Sequence, residues 1–393
     1  MQCTFDGDLS LESLRYYLSR AMTYSLYSET NSCMGRIDYT LVNDAQAVFQ
    51  RLGVRYVSRF ISSWIPSLQE ESAYEGLKQI ITAIKKELPE IVLEACIFET
   101  APKSVDTLKI PRFVFDAFDL PAEDRCFDNT QMMYENGFGR DRWGEDFHVP
   151  DITRLETQMF FYYRACRYID MGIEGLHLGQ TGLMGKNDEG NACWERVIRL
   201  VRAYAVKHAP RHYVIINSHG GNKFVDRNGV AMTDFIASPS RIEVATARPA
   251  TDGHPQLVDI FPGRDWSCGD NYTPYLKKRI GKSPSGWETE RYPYLVEFDN
   301  WGIQDCDHSD PSKFIWGYDE ISWFSNQPDE ERRAFLKHLN DRVLSFADNG
   351  FLAMPGRRIA YLDGGQRLDA YSVTAFDDVE TIASIWDSND KTL

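Results

Sequence analysis

Short apolar runs alternate along most of the chain with longer stretches whose apolar residues recur three or four apart. The first kind suits a buried strand and the second an amphipathic helix. Residues 19–27 (SRAMTYSLY) are a candidate first strand, preceded by the helical LESLRYYL. A helix over 44–53 ends on Gly53, a helix stop signal, and a strand over 54–61 follows at once. A helix over 70–88, a strand over 91–99, a helix over 152–172 and a strand over 173–180 come next. Then follow a helix over 192–209, a strand over 212–221, a short strand over 241–249 and a strand over 292–302. A helix over 328–350, with Pro328 at its start and Gly350 at its stop, leads to a last strand over 351–358. Strand–helix alternation of this kind implies parallel strands with helical crossovers. About eight strands in this order predict an α/β fold, a (β/α)8 TIM-type barrel with long βα-loop insertions at 100–150 and 250–290. An open doubly wound sheet is the alternative. It usually carries a Gly-rich phosphate loop after its first strand, and the sequence has none there. No Gly-, Ser- or Pro-rich linker interrupts the pattern. Residues 1–393 are therefore expected to form a single barrel domain, with 359–393 a C-terminal extension packed on it.

The length, 393 residues, would ordinarily suggest two or three domains, but one barrel with insertions can use it all. Aromatic residues make up 13% of the chain, enough either for core packing or for a cleft whose rings stack on sugar faces. The formal net charge of −15 and the lack of a Lys/Arg run argue against a nucleic-acid partner, which would demand clustered cations. No apolar run approaches the ~20 residues of a membrane span. The first residues, MQCTFDGDLSLES, lack a basic-then-apolar leader pattern, so a cytoplasmic protein and a processed secreted form both stay open. The eight cysteines show no CxxC spacing, and Cys96 and Cys166 read as small buried hydrophobes.

Barrel enzymes draw their chemistry from the C-terminal ends of strands. The strongest candidate is YLVEFDNWG, where alternation puts Leu295, Glu297 and Asp299 on one face. A buried carboxylate costs several kcal/mol unless paired. Glu297 and Asp299 therefore read either as a nucleophile or base with a supporting acid, or as structural partners of an inward arginine such as Arg55 or Arg59. Asn300 and Trp301 follow as candidate substrate contacts, the indole as a ring platform. HYVIINSHGG places Asn217 and His219 at a strand end, and IEGLHLGQ does the same for His177 and Gln180. These polar groups, with Arg59, can orient a hydroxyl or a carboxylate. Glu99 closes its strand and is a candidate second carboxyl, whereas Glu94 lies mid-strand on the other parity and reads as a buried structural partner. In GYDEISWF, Glu320 stands beside Trp323 and Phe324, and apolar rings raise the pKa of an adjacent acid. Four carboxyls (Glu297, Glu99, Glu320, Asp299) are thus candidates for the pair that glycoside hydrolysis needs. Trp64, Trp143, Trp287 and Trp316 are possible wall residues.

The runs DITRLETQMFFYYRACRYIDMGIEGLHLGQ, YLVEFDNWG, WGYDEISWF and FLAMPGRR resemble a group of bacterial proteins whose layout is similar to barrel glycoside hydrolases. The resemblance covers roughly residues 10–358 and implies a barrel fold; a carbohydrate substrate and no cofactor are expected from the carboxylates and aromatic residues at the strand ends. Barrel glycosidases often carry their acid/base after the strand that here ends in Gln180, so this chain departs from that pattern. Two other functions stay open. His177, His219, Glu297 and Asp299 could supply ligands for a metal-dependent hydrolase or isomerase, although HxH and HExxH signatures are lacking. A carbohydrate-binding protein without catalysis is the third.

Overall fold

A computed structural model describes residues 4–28, 39–63, 71–220, 224–239, 281–299, 320–346, 349–362 and 367–390. The principal strands are β1 (Ala21–Tyr24), β2 (Tyr56–Ser62), β3 (Val92–Cys96), β4 (Gly175–His177), β5 (Ile215–Ser218), β6 (Phe235–Pro239), β7 (Tyr294–Glu297), β8 (Gly350–Leu352), β9 (Met354–Leu362) and β10 (Arg367–Ser372). They lie side by side in the order β8-β7-β6-β5-β4-β3-β2-β1-β9-β10, with Tyr27–Ser28 added beside β2. Every neighbouring pair is parallel except β9 and β10.

The expected closed barrel is therefore observed as a curled, parallel-rich sheet whose pairing has two ends. At one end β8 pairs with β7, and towards the other β9 pairs with β1. Ala353 alone separates β8 from β9 along the chain, and its N–H still donates to the Val296 carbonyl at 2.8 Å. The run expected as one strand over 351–358 thus changes neighbours at that residue. The expected strand over 241–249 lies outside the described residues. The strand found just before it, β6, ends on Pro239.

Helices α1 (Leu11–Leu18), α2 (Tyr39–Leu52), α3 (Glu71–Glu87), α4 (Leu155–Asp170), α5 (Ala192–His208), α6 (Glu320–Ser325), α7 (Asp329–Phe346) and α8 (Val379–Asn389) follow the predicted periodicity within a few residues where they were expected. Apart from α1, their apolar stripes join one large cluster with the outward side chains of the sheet, and α4 packs on α5. The concave side has a separate core. Leu14, Tyr17 and Leu18 of α1 cluster there with Ala21, Tyr56, Val92, Ile215, Phe235, Leu295 and Phe351. In a strand, the residue two positions on faces the same way. The positions above Val92, Ile215 and Leu295 are Glu94, Asn217 and Glu297. An apolar layer at the strand starts is thus followed by a polar layer at the strand ends, and all three polar groups are buried.

The loop 100–150, expected to be irregular, is described throughout. Its base is a short antiparallel pair between Ala101–Pro102 and Phe147–His148. Residues 359–362 continue β9, the chain then returns as β10 against it, and α8 packs on α2. No helix among the described residues is long and apolar enough to cross a membrane.

Candidate active site

Arg59 stands at the centre of the polar layer. It lies inside β2, yet its φ is +59°, a left-handed conformation that costs a non-glycine residue about 1–2 kcal/mol. The pairing of β2 with β3 shifts register between Val57 and Ile61, so a bulge surrounds it. The Arg59 backbone N–H donates to Glu94 Oε1 at 3.0 Å. Its guanidinium reaches Glu297 through both Nε (3.1 Å to Oε2) and a terminal nitrogen to Oε1. Of the two arginines considered for Glu297, Arg59 is the partner. Arg55 instead lies over the Tyr16 ring and bonds Ser19.

Glu297 is 2% exposed. Burial alone would raise its pKa, but Arg59, His219 and the nearby Arg358 hold the carboxyl well below the usual range. His219 Nε2 lies 3.6 Å from Glu297 Oε1 and 3.3 Å from Arg59. Asp299 lies just past β7, within electrostatic reach of Arg59 and Arg358.

A second set of contacts meets at Glu94. Its Oε2 accepts from the Tyr56 hydroxyl at 2.6 Å and from Asn217 Nδ2 at 2.5 Å. Burial pushes the Glu94 pKa up, against the pull of the Tyr56 hydroxyl and of Arg59. Asn217 Oδ1 meets His177 Nδ1 at 2.6 Å. Gly175, the residue of β4 facing this network, leaves the room it needs: a Cβ there would stand 2.8 Å from the Tyr56 hydroxyl oxygen and 3.0 Å from Glu94 Cβ. Burial, with Arg59 and His219 adding to it, pushes the His177 pKa well down, so this ring is neutral. It packs edge-on to His219, centroids 4.7 Å apart.

Glu99 sits apart from this network, at the start of the loop after β3. Both its oxygens are held by Gln180: Oε2 accepts from the backbone N–H at 3.0 Å and Oε1 from Nε2 at 2.8 Å. The half-buried Trp143 donates its indole N–H to the Glu99 backbone carbonyl at 2.9 Å, which ties one of the possible wall rings to the main chain here.

Three expected residues are placed differently. Trp323 is fully buried and packs edge-on against Phe335, 4.7 Å between centroids, so the core takes it and it lines no cleft. Glu320, also fully buried, accepts the Asp299 backbone N–H at 2.9 Å from the first turn of α6. Trp287 stacks on Tyr292 and bonds the Leu9 carbonyl, at the base of the sheet near α1. Asn300, Trp301, Trp64 and Trp316 lie outside the described residues. Sequence reasoning missed Tyr56 and Arg358. It also counted Asn217 as a substrate contact, whereas both ends of its amide are engaged by protein groups. Among the described residues no group of three His, Cys, Asp or Glu is arranged to hold a metal ion.

No family model matches the chain, and no curated protein is similar to it. Several solved structures are distantly similar. One is the α-galactosidase of Thermus thermophilus, at 12% identity and a TM-score of 0.30, over 53% of this chain and 42% of that one. Another is a β-L-arabinopyranosidase of glycoside hydrolase family 27 from Geobacillus stearothermophilus, at 10% identity and a TM-score of 0.39, over 94% and 78%. A third is the glycoside hydrolase domain of PelA from Pseudomonas aeruginosa, at 10% identity and a TM-score of 0.29, over 74% and 85%. The chain spans less than half of the α-galactosidase. Likenesses this distant leave the chemistry to be argued from the residues themselves.

Proposed function

We propose that the protein is a glycoside hydrolase-like enzyme that cleaves a glycosidic bond with a pair of carboxyl groups at the strand ends. The observation that carries this reading is Glu297: a buried carboxylate, kept ionised by Arg59, in the polar layer where β2, β3, β4, β5 and β7 end. A fixed negative charge there suits a transition state in which positive charge develops at the anomeric carbon. Glu99 is the partner carboxyl. It is oriented at both oxygens by Gln180, and its backbone carbonyl is held by the Trp143 indole, whereas Glu320 is enclosed by the core. His219 borders Glu297 and serves as a substrate contact. The same reading takes 351–358 as the eighth strand of a (β/α)8 barrel, bridged through Ala353, and the whole chain as one domain with 359–393 an extension. The pairing of this one run with β7 on one side and β1 on the other supports it.

The test uses a panel of p-nitrophenyl glycosides with the wild type, Glu297→Gln and Glu99→Gln. Loss of the ion pair strains a buried arginine, so a thermal melt of each variant accompanies the assay. The wild type is expected to release p-nitrophenol from at least one glycoside. A folded Glu297→Gln is expected to lose at least ~10³-fold in kcat/KM, as on removal of a principal catalytic group. Near-normal turnover by folded Glu297→Gln would remove Glu297 from the mechanism. One observation favours a second reading, sugar binding without catalysis: both Glu297 oxygens are already taken by Arg59. Binding of a monosaccharide by calorimetry, with no turnover of any glycoside, would establish that reading in place of the first.

A further inference from the structure

His177 is fully buried, and its two ring nitrogens differ sharply. Nδ1 is bonded to Asn217, while Nε2 is buried with no hydrogen-bond partner among the described residues. A buried polar atom left unpaired costs about 1–3 kcal/mol, so such an atom calls for a ligand or an ordered water.

The proton on this ring can be traced from the other end of the network. A carboxylate only accepts, so Asn217 must present its NH2 to Glu94 Oε2 and its carbonyl oxygen to His177. The carbonyl oxygen in turn requires a proton on Nδ1. Tyr56 and the Arg59 backbone N–H supply two further donors to Glu94, which favours the ionised form that sets this direction. Nε2 is then a bare lone pair. A protonated Glu94 would reverse the chain: it could donate to Asn217 Oδ1, turn the amide over and move the histidine proton to Nε2.

We propose that Glu94 and Asn217 are positioning residues that lock His177 in its Nδ1–H form, and that Nε2 is a fixed acceptor for a neutral hydroxyl donor, either a sugar hydroxyl or an ordered water. A neutral acceptor selects an O–H group and rejects a carboxylate, which has no proton to give. Glu94 also holds the Arg59 backbone, so one carboxyl sets both the acceptor and the cation that orients Glu297. The sugar source rests on the glycosidase reading; the lock on the tautomer does not.

The experiment is ¹⁵N-detected histidine NMR of the full chain at pH 7, with and without a saturating monosaccharide, the one whose p-nitrophenyl glycoside is turned over or that binds by calorimetry. His177 resonances are assigned by their loss in His177→Gln. The expected result is a neutral ring protonated on Nδ1, whose Nε2 resonance is shifted by hydrogen bonding. If that shift appears or changes on adding the sugar, the sugar supplies the hydroxyl. If it is present in the free protein and does not change, water supplies it. A ring protonated on Nε2, or an imidazolium, would overturn the lock. An Nε2 resonance typical of an unbonded nitrogen in both samples would overturn the acceptor site. In Asn217→Asp, a carboxylate restores an acceptor at Nδ1, so the Nδ1–H signature is expected to persist. In Asn217→Leu it is expected to give way to a mixture of tautomers; an unchanged signature there would also count against the lock. Failure of the glycoside assay leaves these free-protein spectra readable, so the two proposals fail separately.

Discussion

At the residue scale, the site depends on backbone conformations that residue types alone do not announce. Arg59 takes a left-handed φ with no glycine or asparagine to mark it, and the Glu94 carboxyl meets its N–H. Gly179 shows the complementary case. Its φ is +58°, and a Cβ at that position would fall 2.1 Å from Glu99 Oε2. The glycine therefore lets the Gln180 backbone approach Glu99 closely enough to bond it. Gly179→Ala is expected to destabilise the protein by about 1–2 kcal/mol from the backbone term alone. Because the methyl must also displace Glu99, kcat/KM on any glycoside turned over is expected to fall by a larger factor than stability explains. Urea unfolding and the glycoside assay measure the two effects. Wild-type stability together with wild-type kinetics would mean that the Glu99–Gln180 clasp does not hold in solution.

At the scale of elements, the strand starts are pinned by buried charges that sequence periodicity does not reveal. Asp234, 1% exposed, accepts from the Ile216 N–H, the Tyr213 hydroxyl and Arg202, tying the entry of β6 to β5. Removing one partner of a buried pair typically costs about 3–5 kcal/mol. Asp234→Ala is therefore expected to lower the urea midpoint markedly. Asp387→Ala, whose carboxylate is 65% exposed beside Arg20, is expected to cost about 0–1 kcal/mol. Equal losses in the two variants would contradict this role for Asp234. The same contrast explains what could be read in advance. The long helices were legible because one face of each is apolar and the other polar. β6 was not, because all five of its residues are buried and a strand buried on both faces shows no alternation. The ion pair of Glu297 with an inward arginine was among the readings the sequence allowed. The network of Tyr56, Glu94, Asn217 and His177 was not foreseen, since its contacts span 38, 123 and 40 residues of chain and assemble only when four strands lie side by side.

At the scale of the whole molecule, buried titratable groups at both ends of the strands make stability depend on pH. The carboxyls of Glu297 and Glu174 are both held below the usual carboxylate range. In each case burial works against this and cationic neighbours prevail: Arg59 at Glu297, Arg211 and Lys85 at Glu174. His177 is held well below its ordinary value by burial, with Arg59 and His219. All three bind a proton more readily in the unfolded chain than in the folded one. Their stabilising contribution is complete above the unfolded pKa values, about 6.5 for histidine and about 4.3 for glutamate, and is lost as pH falls through that range. Glu94 works the other way, because burial raises its pKa and acid then favours the fold. With three groups against one, the urea midpoint is expected to fall from pH 7.5 to pH 5.5 through His177, and more steeply below pH 5 as the carboxyls join it. In His177→Gln the upper part of this dependence is expected to flatten while the lower part persists. A wild-type midpoint that holds constant or rises as pH drops from 7.5 to 4.5 would mean that Glu297 and His177 do not keep, in solution, the buried environments that define this site.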